Sequence, residues 1–197
     1  MIHNIPNIIN QDGIACYHSN AISDEEIAYY FDELFNNLAW EQERIIMFGK
    51  EITTKRKVAF YSDPKMSYTY SNKTKQGIEW TPALLRIKNR VAAITGSFYN
   101  ACLLNLYHNG EEGMGWHSDD EKEIVPNSSI ASLSLGAERN FSFKHKTTKE
   151  TVSLVLGNGS ILDMKGEIQK HWLHALQKTK KVTAPRINLT FRQMQMA

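Results

Sequence analysis

Two short stretches of this chain carry residue types that could do chemistry together. The first is Gly115-Trp116-His117-Ser118-Asp119. Side chains alternate along an extended chain, so His117 and Asp119 point to the same face. With a second histidine from a distant strand they would form the two-histidine, one-carboxylate triad, which covers one face of an octahedral ferrous ion. Three positions then stay open, enough for a bidentate co-substrate and O₂. The second stretch is Arg186-Ile-Asn-Leu-Thr-Phe-Arg192. Read as a strand, it sends Ile187, Leu189 and Phe191 to one face and Arg186, Asn188, Thr190 and Arg192 to the other. At a rise of ~3.3 Å per residue the two arginine Cα atoms lie roughly 20 Å apart. Bent toward the middle, their guanidinium groups could hold the two ends of a small dicarboxylate through paired, charge-assisted bonds.

Each signal has a plainer alternative. His-x-Asp alone is weak, and an edge strand with one face in water would show the same alternation as residues 186–192. Of the other histidines, His3 and His18 belong to an N-terminal arm, His108 follows Tyr107 at a turn, and His145 sits in a lysine-rich segment. His171 and His174, both just before the arginine strand, remain as candidates for the third ligand. A zinc hydrolase could use the same ligand set. It would have no use for a strand that clasps a dicarboxylate, so the combination favours iron.

The elements that must position these groups are legible in outline. Residues 1–13 show no periodicity and read as an irregular arm. Ser23-x-x-Glu26 has the form of a capping box, and the apolar spacing behind it predicts an amphipathic helix at about 24–37. A strand from Arg44 to Lys50 turns at Gly49 and returns through Ile52. Another runs near Arg56–Tyr61, and Ser67–Ser71 forms a short one. Thr81-Pro82 opens a second helix, which Gly96 stops. From Ala101 onward the chain reads as short strands: 101–107, 131–135, 141–143, 152–156, 160–164 and 186–191. Strands at this spacing, divided by turns such as Asn109-Gly110, predict an antiparallel sandwich or barrel. Residues 1–197 read as one domain, a catalytic core from about 101 with an elaboration over about 1–100.

Composition excludes some classes of protein. Hydrophobic residues make up 42% and charged residues 22% of the chain, values ordinary for a globular protein. No apolar run approaches the ~20 residues of a membrane span, and the start lacks the pattern of a secretory signal. Cys16 and Cys102 cannot make a disulfide framework, so a reducing compartment is expected. A net charge of +2 gives no global case for a nucleic-acid partner. Its distribution says more: residues 41–100 hold eleven Lys/Arg against five Asp/Glu, and Lys178, Lys180 and Lys181 precede the last strand. Residues 111–123 are acidic. Basic flanks around an acidic mouth suit a polyanion whose reacting portion is not itself negative.

His117-x-Asp119, a histidine about 55 residues later, and Arg186-x-Asn-x-Thr-x-Arg192 a dozen residues beyond resemble the AlkB family of Fe(II)/2-oxoglutarate dioxygenases. The similarity runs from about Phe48 to Gln193. It points to the animal DNA-repair branch in Met47-Phe-Gly-Lys50, Tyr68-Thr-Tyr70, His117-x-Asp-Asp-Glu121 and His171-Trp-Leu-His174. The resemblance implies an α+β fold: a double-stranded β-helix (jelly roll) core with N-terminal helices and a hairpin lid for nucleotide recognition. It implies His117, Asp119 and His174 as ligands of Fe(2+), with Asn105 and Tyr107 hydrogen-bonding 2-oxoglutarate. Arg186 would grip the distal carboxylate with Asn188 and Thr190 beside it, and Arg192 would sit nearer the iron-chelating end.

The implied reaction consumes O₂ and removes methyl groups from bases of the 1-methyladenine and 3-methylcytosine type in DNA, by base flipping, methyl hydroxylation and loss of formaldehyde. Demethylation of RNA or tRNA is the alternative, and a non-catalytic nucleic-acid-binding module a further one. Phe48 would wedge into the base stack, with Arg56 among the cations around it. Tyr68 and Tyr70 would stack on the flipped ring, and Asp120 and Glu121 would attract the cationic lesion. The partner expected is alkylated DNA, duplex or single-stranded, or RNA, bound by a monomer away from any membrane. The location would be cytoplasmic in a prokaryote and nuclear in a eukaryote, without secretion.

Overall fold

A computed structural model describes residues 5–47, 50–64, 66–70 and 73–195, with backbone alone at 43, 45–47, 50–52, 67–70 and 73–75. In chain order the elements are β1 (Ile14–His18), α1 (Asp24–Asn37), β2 (Glu41–Met47), β3 (Lys50–Ser62), β4 (Ser67–Tyr70), β5 (Lys73–Gln76), α2 (Pro82–Thr95) and β6 (Ala101–Tyr107). They continue as β7 (Met114–His117), β8 (Ile130–Gly136), β9 (Arg139–His145), β10 (Thr151–Leu156), β11 (Ile161–Lys165), α3 (Ile168–His171), β12 (Trp172–Leu176) and β13 (Arg186–Arg192). Both long helices begin where the sequence predicts. Ser23 and Glu26 form the capping box of α1; Thr81 caps α2, and Gly96 ends it at a positive φ of 66°.

The strands form a seven-stranded sheet, β1-β11-β8-β13-β6-β3-β2, a four-stranded sheet, β10-β9-β12-β7, and the β4-β5 hairpin. The ladders of the two larger sheets are antiparallel, and these sheets are the two walls of a jelly roll. The arginine strand is not an edge strand. β13 lies between β8 and β6, and every residue in it is buried or half-buried. Its alternation then has one cause on each face. Ile187, Leu189 and Phe191 pack with Ile27, Tyr30 and Leu34 of α1 and Leu84, Ile87 and Val91 of α2. Truncating Leu189 to alanine would cost about 2–5 kcal/mol. The polar face looks the other way, into the space closed by the small sheet, where Phe141, Phe143, Trp172 and Leu176 form part of a second core.

Several elements escaped the sequence reading. β1 pairs with β11, so the first twenty residues contribute a strand as well as an irregular arm. The separate strands expected around Ile52 and Arg56–Tyr61 are one strand, β3, and the mismatch with β2 is absorbed by a register shift between Gln42 and Arg44. β7 and β12 are too short, at four and five residues, for alternation to reveal them. Among the described residues no helix is long and apolar enough to cross a membrane.

Candidate active site

β7 and β12 lie side by side with His117 directly opposite His174. Opposed residues in an antiparallel pair hold their Cβ atoms roughly 5 Å apart, so one ladder rung closes the gap between two histidines remote in sequence. Their rings stand 4.3 Å apart, centre to centre, at 66°. Asp119 lies two residues past the end of β7. Its Oδ1 is 3.7 Å from His117 Nε2 and 4.0 Å from His174 Nε2. Donor atoms bonded at about 2.1 Å on one face of an ion stand roughly 3 Å apart, so these three side chains could close on a metal ion with shifts of about 1 Å or less. His117 Nδ1 is 2.8 Å from the Gly115 carbonyl oxygen, to which it donates. That fixes the proton on Nδ1 and turns the Nε2 lone pair toward the cluster.

The protonation states also suit a metal. Burial would raise the Asp119 carboxyl, but the Arg192 guanidinium, with His174 and His117 beyond it, outweighs burial and holds it at about 2. Burial pushes His174 down to about 3 against the attraction of Asp119. At neutral pH the site therefore presents a carboxylate and a neutral imidazole, the forms that bind cations. Arg192 Nη2 donates to Asp119 Oδ2 at 3.1 Å, which leaves Oδ1 facing the imidazoles.

The spacing argument left His171 beside His174 as a candidate ligand; the fold separates them. His171 lies 3.7 Å from Glu167 and stacks on His145, with ring centres 6.2 Å apart. Asp12, His145 and His171 do gather their ligand atoms within 4.8 Å. The hydrogen bonds argue against a metal there. His145 Nδ1 accepts from the Thr147 and Thr148 amides, so its proton sits on Nε2, 3.1 Å from Asp12 Oδ2. A neutral ring accepting at one nitrogen has no free lone pair at the other.

The other end of the cavity is built on three adjacent strands. Across the β13–β6 ladder Arg186 faces Tyr107 and Asn188 faces Asn105; across β13–β8 Asn188 faces Ser134. Arg186 is 2% exposed. Its Nη2 donates to Ser134 Oγ at 2.9 Å, while its Nε has no hydrogen-bond partner among the described residues. No carboxylate pairs with it there either, and burial drags its pKa down to about 10. The Tyr107 ring has the guanidinium groups of Arg186 and Arg139 at 5.6 Å and 5.9 Å from its centre. The buried Asn105 Oδ1 also lacks a hydrogen-bond partner among the described residues. Asn188 is more committed: it donates to Ser132 Oγ and the Leu133 carbonyl and accepts from Thr190. An unpaired buried cation is costly, and this one asks for an anion.

The residues expected to face the nucleotide spread out. Arg56 is buried, lines the cavity, and sets Nη1 3.2 Å from Met114 Sδ. Glu121 is half-buried and borders both the same cavity and the adjoining outer cleft, whereas Asp120 is exposed and borders the outer cleft. Phe48 lies outside the described residues, as do the side chains of Tyr68 and Tyr70, whose backbone forms β4. Three further residues had no spacing signal: Ser134, which holds Arg186; Phe141, stacked on His174 at 5.5 Å; and Gln169, bound to the Asp119 amide. Ser132 and Ser134 alternate with Ala131, Leu133 and Leu135 in the sequence, but nothing in that pattern names Arg186 as a partner.

The model of the 2OG-Fe(II) oxygenase superfamily matches residues 14–192. Human DNA oxidative demethylase ALKBH2 is 38% identical over 94% of this chain and 76% of its own length. Human alpha-ketoglutarate-dependent dioxygenase alkB homolog 3 is 32% identical over 95% of this chain and 72% of its own. The chain belongs to the AlkB family of 2OG-Fe(II) oxygenases. Its fold matches a solved structure of OsALKBH1, with a TM-score of 0.63 at 16% identity over 94% of this chain and all of that one. A 2OG-Fe(II) oxygenase-family oxidoreductase from Burkholderia pseudomallei gives a TM-score of 0.60 at 15% identity over 92% and 84%. Iron(II), 2-oxoglutarate and O₂ are the cofactor and co-substrates of an AlkB-family enzyme. The residues present fit them: a hard/borderline donor set of two imidazoles and a carboxylate for the iron, and a buried guanidinium with no carboxylate partner among the described residues for a dicarboxylate.

Proposed function

We propose that this chain is an oxidative demethylase of alkylated bases in DNA, with His117, Asp119 and His174 holding iron(II) and Arg186 pairing with the distal carboxylate of 2-oxoglutarate. The observation that carries the site assignment is the contrast on β13. Arg192 is paired with Asp119, whereas Arg186 is buried with no carboxylate partner among the described residues. The substrate class follows from relatives that carry the name DNA oxidative demethylase and match nearly the whole chain.

When bound, the iron and 2-oxoglutarate supply hydroxylation of a methyl C–H bond, with succinate and CO₂ as by-products. The chain's own residues do the rest. Arg192 keeps Asp119 deprotonated and aimed; Asn105 and Tyr107 border the co-substrate, with Asn188 and Thr190 beside Arg186. The cavity lies between two sheets, so a stacked base cannot reach it and the target must leave the helix. Alkylation at a pairing nitrogen makes the base cationic. Glu121 at the cavity wall and Asp120 at the rim attract that charge over the neutral base. Arg56 contributes from the wall. The hydroxymethyl group on nitrogen then breaks down to formaldehyde and the restored base.

Formaldehyde release from oligonucleotides carrying 1-methyladenine or 3-methylcytosine, with iron(II) and 2-oxoglutarate, tests this reading. Wild type should release it and His117→Ala should not. Equal release by both, or none by wild type, would defeat it, and faster turnover of a matched RNA would move the substrate to RNA. Phe48 at the β2–β3 connection is assigned as the wedge and Tyr68 and Tyr70 as the stacking pair. Phe48→Ala should then slow repair of duplexes far more than of single strands. The enzyme acts as a monomer in this reading, nuclear in a eukaryote and cytoplasmic in a prokaryote.

A further inference from the structure

The three metal-binding side chains are not located by the same means. His117 and His174 sit on opposed rungs of the β7–β12 ladder, and backbone hydrogen bonding alone sets their separation. Asp119 lies beyond the last residue of β7, where that ladder has ended. Something else must fix its backbone before Arg192 can aim its carboxylate.

We propose that Gln169 is the positioning residue of the metal centre, holding the main chain of Asp119 through its side-chain oxygen. Gln169 Oε1 accepts the Asp119 N–H at 3.0 Å. One residue earlier, Ser118 Oγ donates to the Trp172 carbonyl oxygen at 3.0 Å. Both partners belong to the short segment α3–β12, which leads directly into His174. The loop carrying one ligand is thereby fastened to the segment that delivers another. Gln169 is itself restrained: its main-chain carbonyl accepts from Lys146 Nζ at 2.8 Å, and its side-chain Nε2 is 3.9 Å from Met164 Sδ. Asp119 is then held at two points, its N–H by Gln169 and its Oδ2 by Arg192. Oδ1 is left to face the two imidazoles. Without the Gln169 contact the loop can drift and the preformed triad loses its third arm.

The inference rests on the reading of His117, Asp119 and His174 as metal ligands. Its test is titration of the metal-free protein with Co(II), followed by calorimetry and by the d–d absorption of the bound ion. Outer partners of metal ligands typically contribute about 10–100-fold in affinity. Gln169→Leu should weaken Co(II) binding about tenfold or more, with the thermal midpoint of the metal-free protein unchanged within a few degrees. Gln169→Glu keeps an oxygen acceptor at the same reach and should bind Co(II) within a few-fold of wild type. Gln169→Met, a linear side chain of similar length without the acceptor, should behave like Gln169→Leu. Wild-type affinity in Gln169→Leu and Gln169→Met overturns the proposal, as does an equal loss in Gln169→Glu. A loss matched by a large fall in thermal midpoint also overturns it, since the contact would then be serving the fold. Failure of wild type to bind Co(II) would instead sink the metal-site reading, so the two failures are distinguishable.

Discussion

The two ends of β13 carry the same side chain in opposite situations. Arg192 and Arg186 share one face of one strand, and both are almost fully buried. Arg192 meets Asp119 at 3.1 Å, so its charge is balanced within the protein. Arg186 touches a serine hydroxyl and an aromatic ring and has no carboxylate among the described residues. Taking a guanidinium out of water costs several kcal/mol unless an anion compensates. A fold that keeps one uncompensated spends stability at that point, and the deficit is made good when a carboxylate arrives. On the function proposed above, the paired end belongs to the resident machinery and the unpaired end is the binding site.

Arg192→Met breaks the comparison with the largest expected effect. It leaves a buried carboxylate without its cation and should destabilise the metal-free protein by about 3–5 kcal/mol in denaturant melts, with loss of turnover. Arg186→Met should do the reverse to stability. Removing an unpaired buried cation leaves the metal-free melt unchanged or raises it, while the KM for 2-oxoglutarate climbs about 10–100-fold, the worth of a charge-assisted bond. If both variants melt alike, the distinction between the ends is wrong.

The pH dependence sharpens the metal end. Burial holds folded His174 at about 3, below its ordinary 6.5, so the unfolded chain takes up the proton first. The contribution of neutral His174 to the stability of the metal-free protein is therefore fully present above pH 6.5 and is lost as the pH drops toward 3. His174→Asn should flatten that slope in melts taken across this range; an unchanged slope would assign it to other groups. The smallest effect is expected from Ser134→Ala, which removes one hydrogen bond from Arg186. A bond worth about 1 kcal/mol corresponds to a rise of about fivefold in the KM for 2-oxoglutarate, with little change in kcat.

Much of this was legible in the chain itself. The capping box at Ser23, Thr81-Pro82 and Gly96 fixed both long helices because cap chemistry is local. The alternation in residues 186–192 told correctly which side chains share a face, since the period of a strand is two whatever lies around it. The same alternation picked out His117 and Asp119 as a pair, although Asp119 lies past the end of β7. Beyond that range the sequence had no purchase. It could not separate His171 from His174 on spacing alone, because both precede the arginine strand and only the register of β12 against β7 puts one of them opposite His117. It could not tell a central strand from an edge strand, nor a paired arginine from an unpaired one. Those are properties of neighbours brought from elsewhere in the chain. Local periodicity, set by backbone geometry, decided the candidates; long-range pairing, set by how the two sheets close on each other, decided which of them meet.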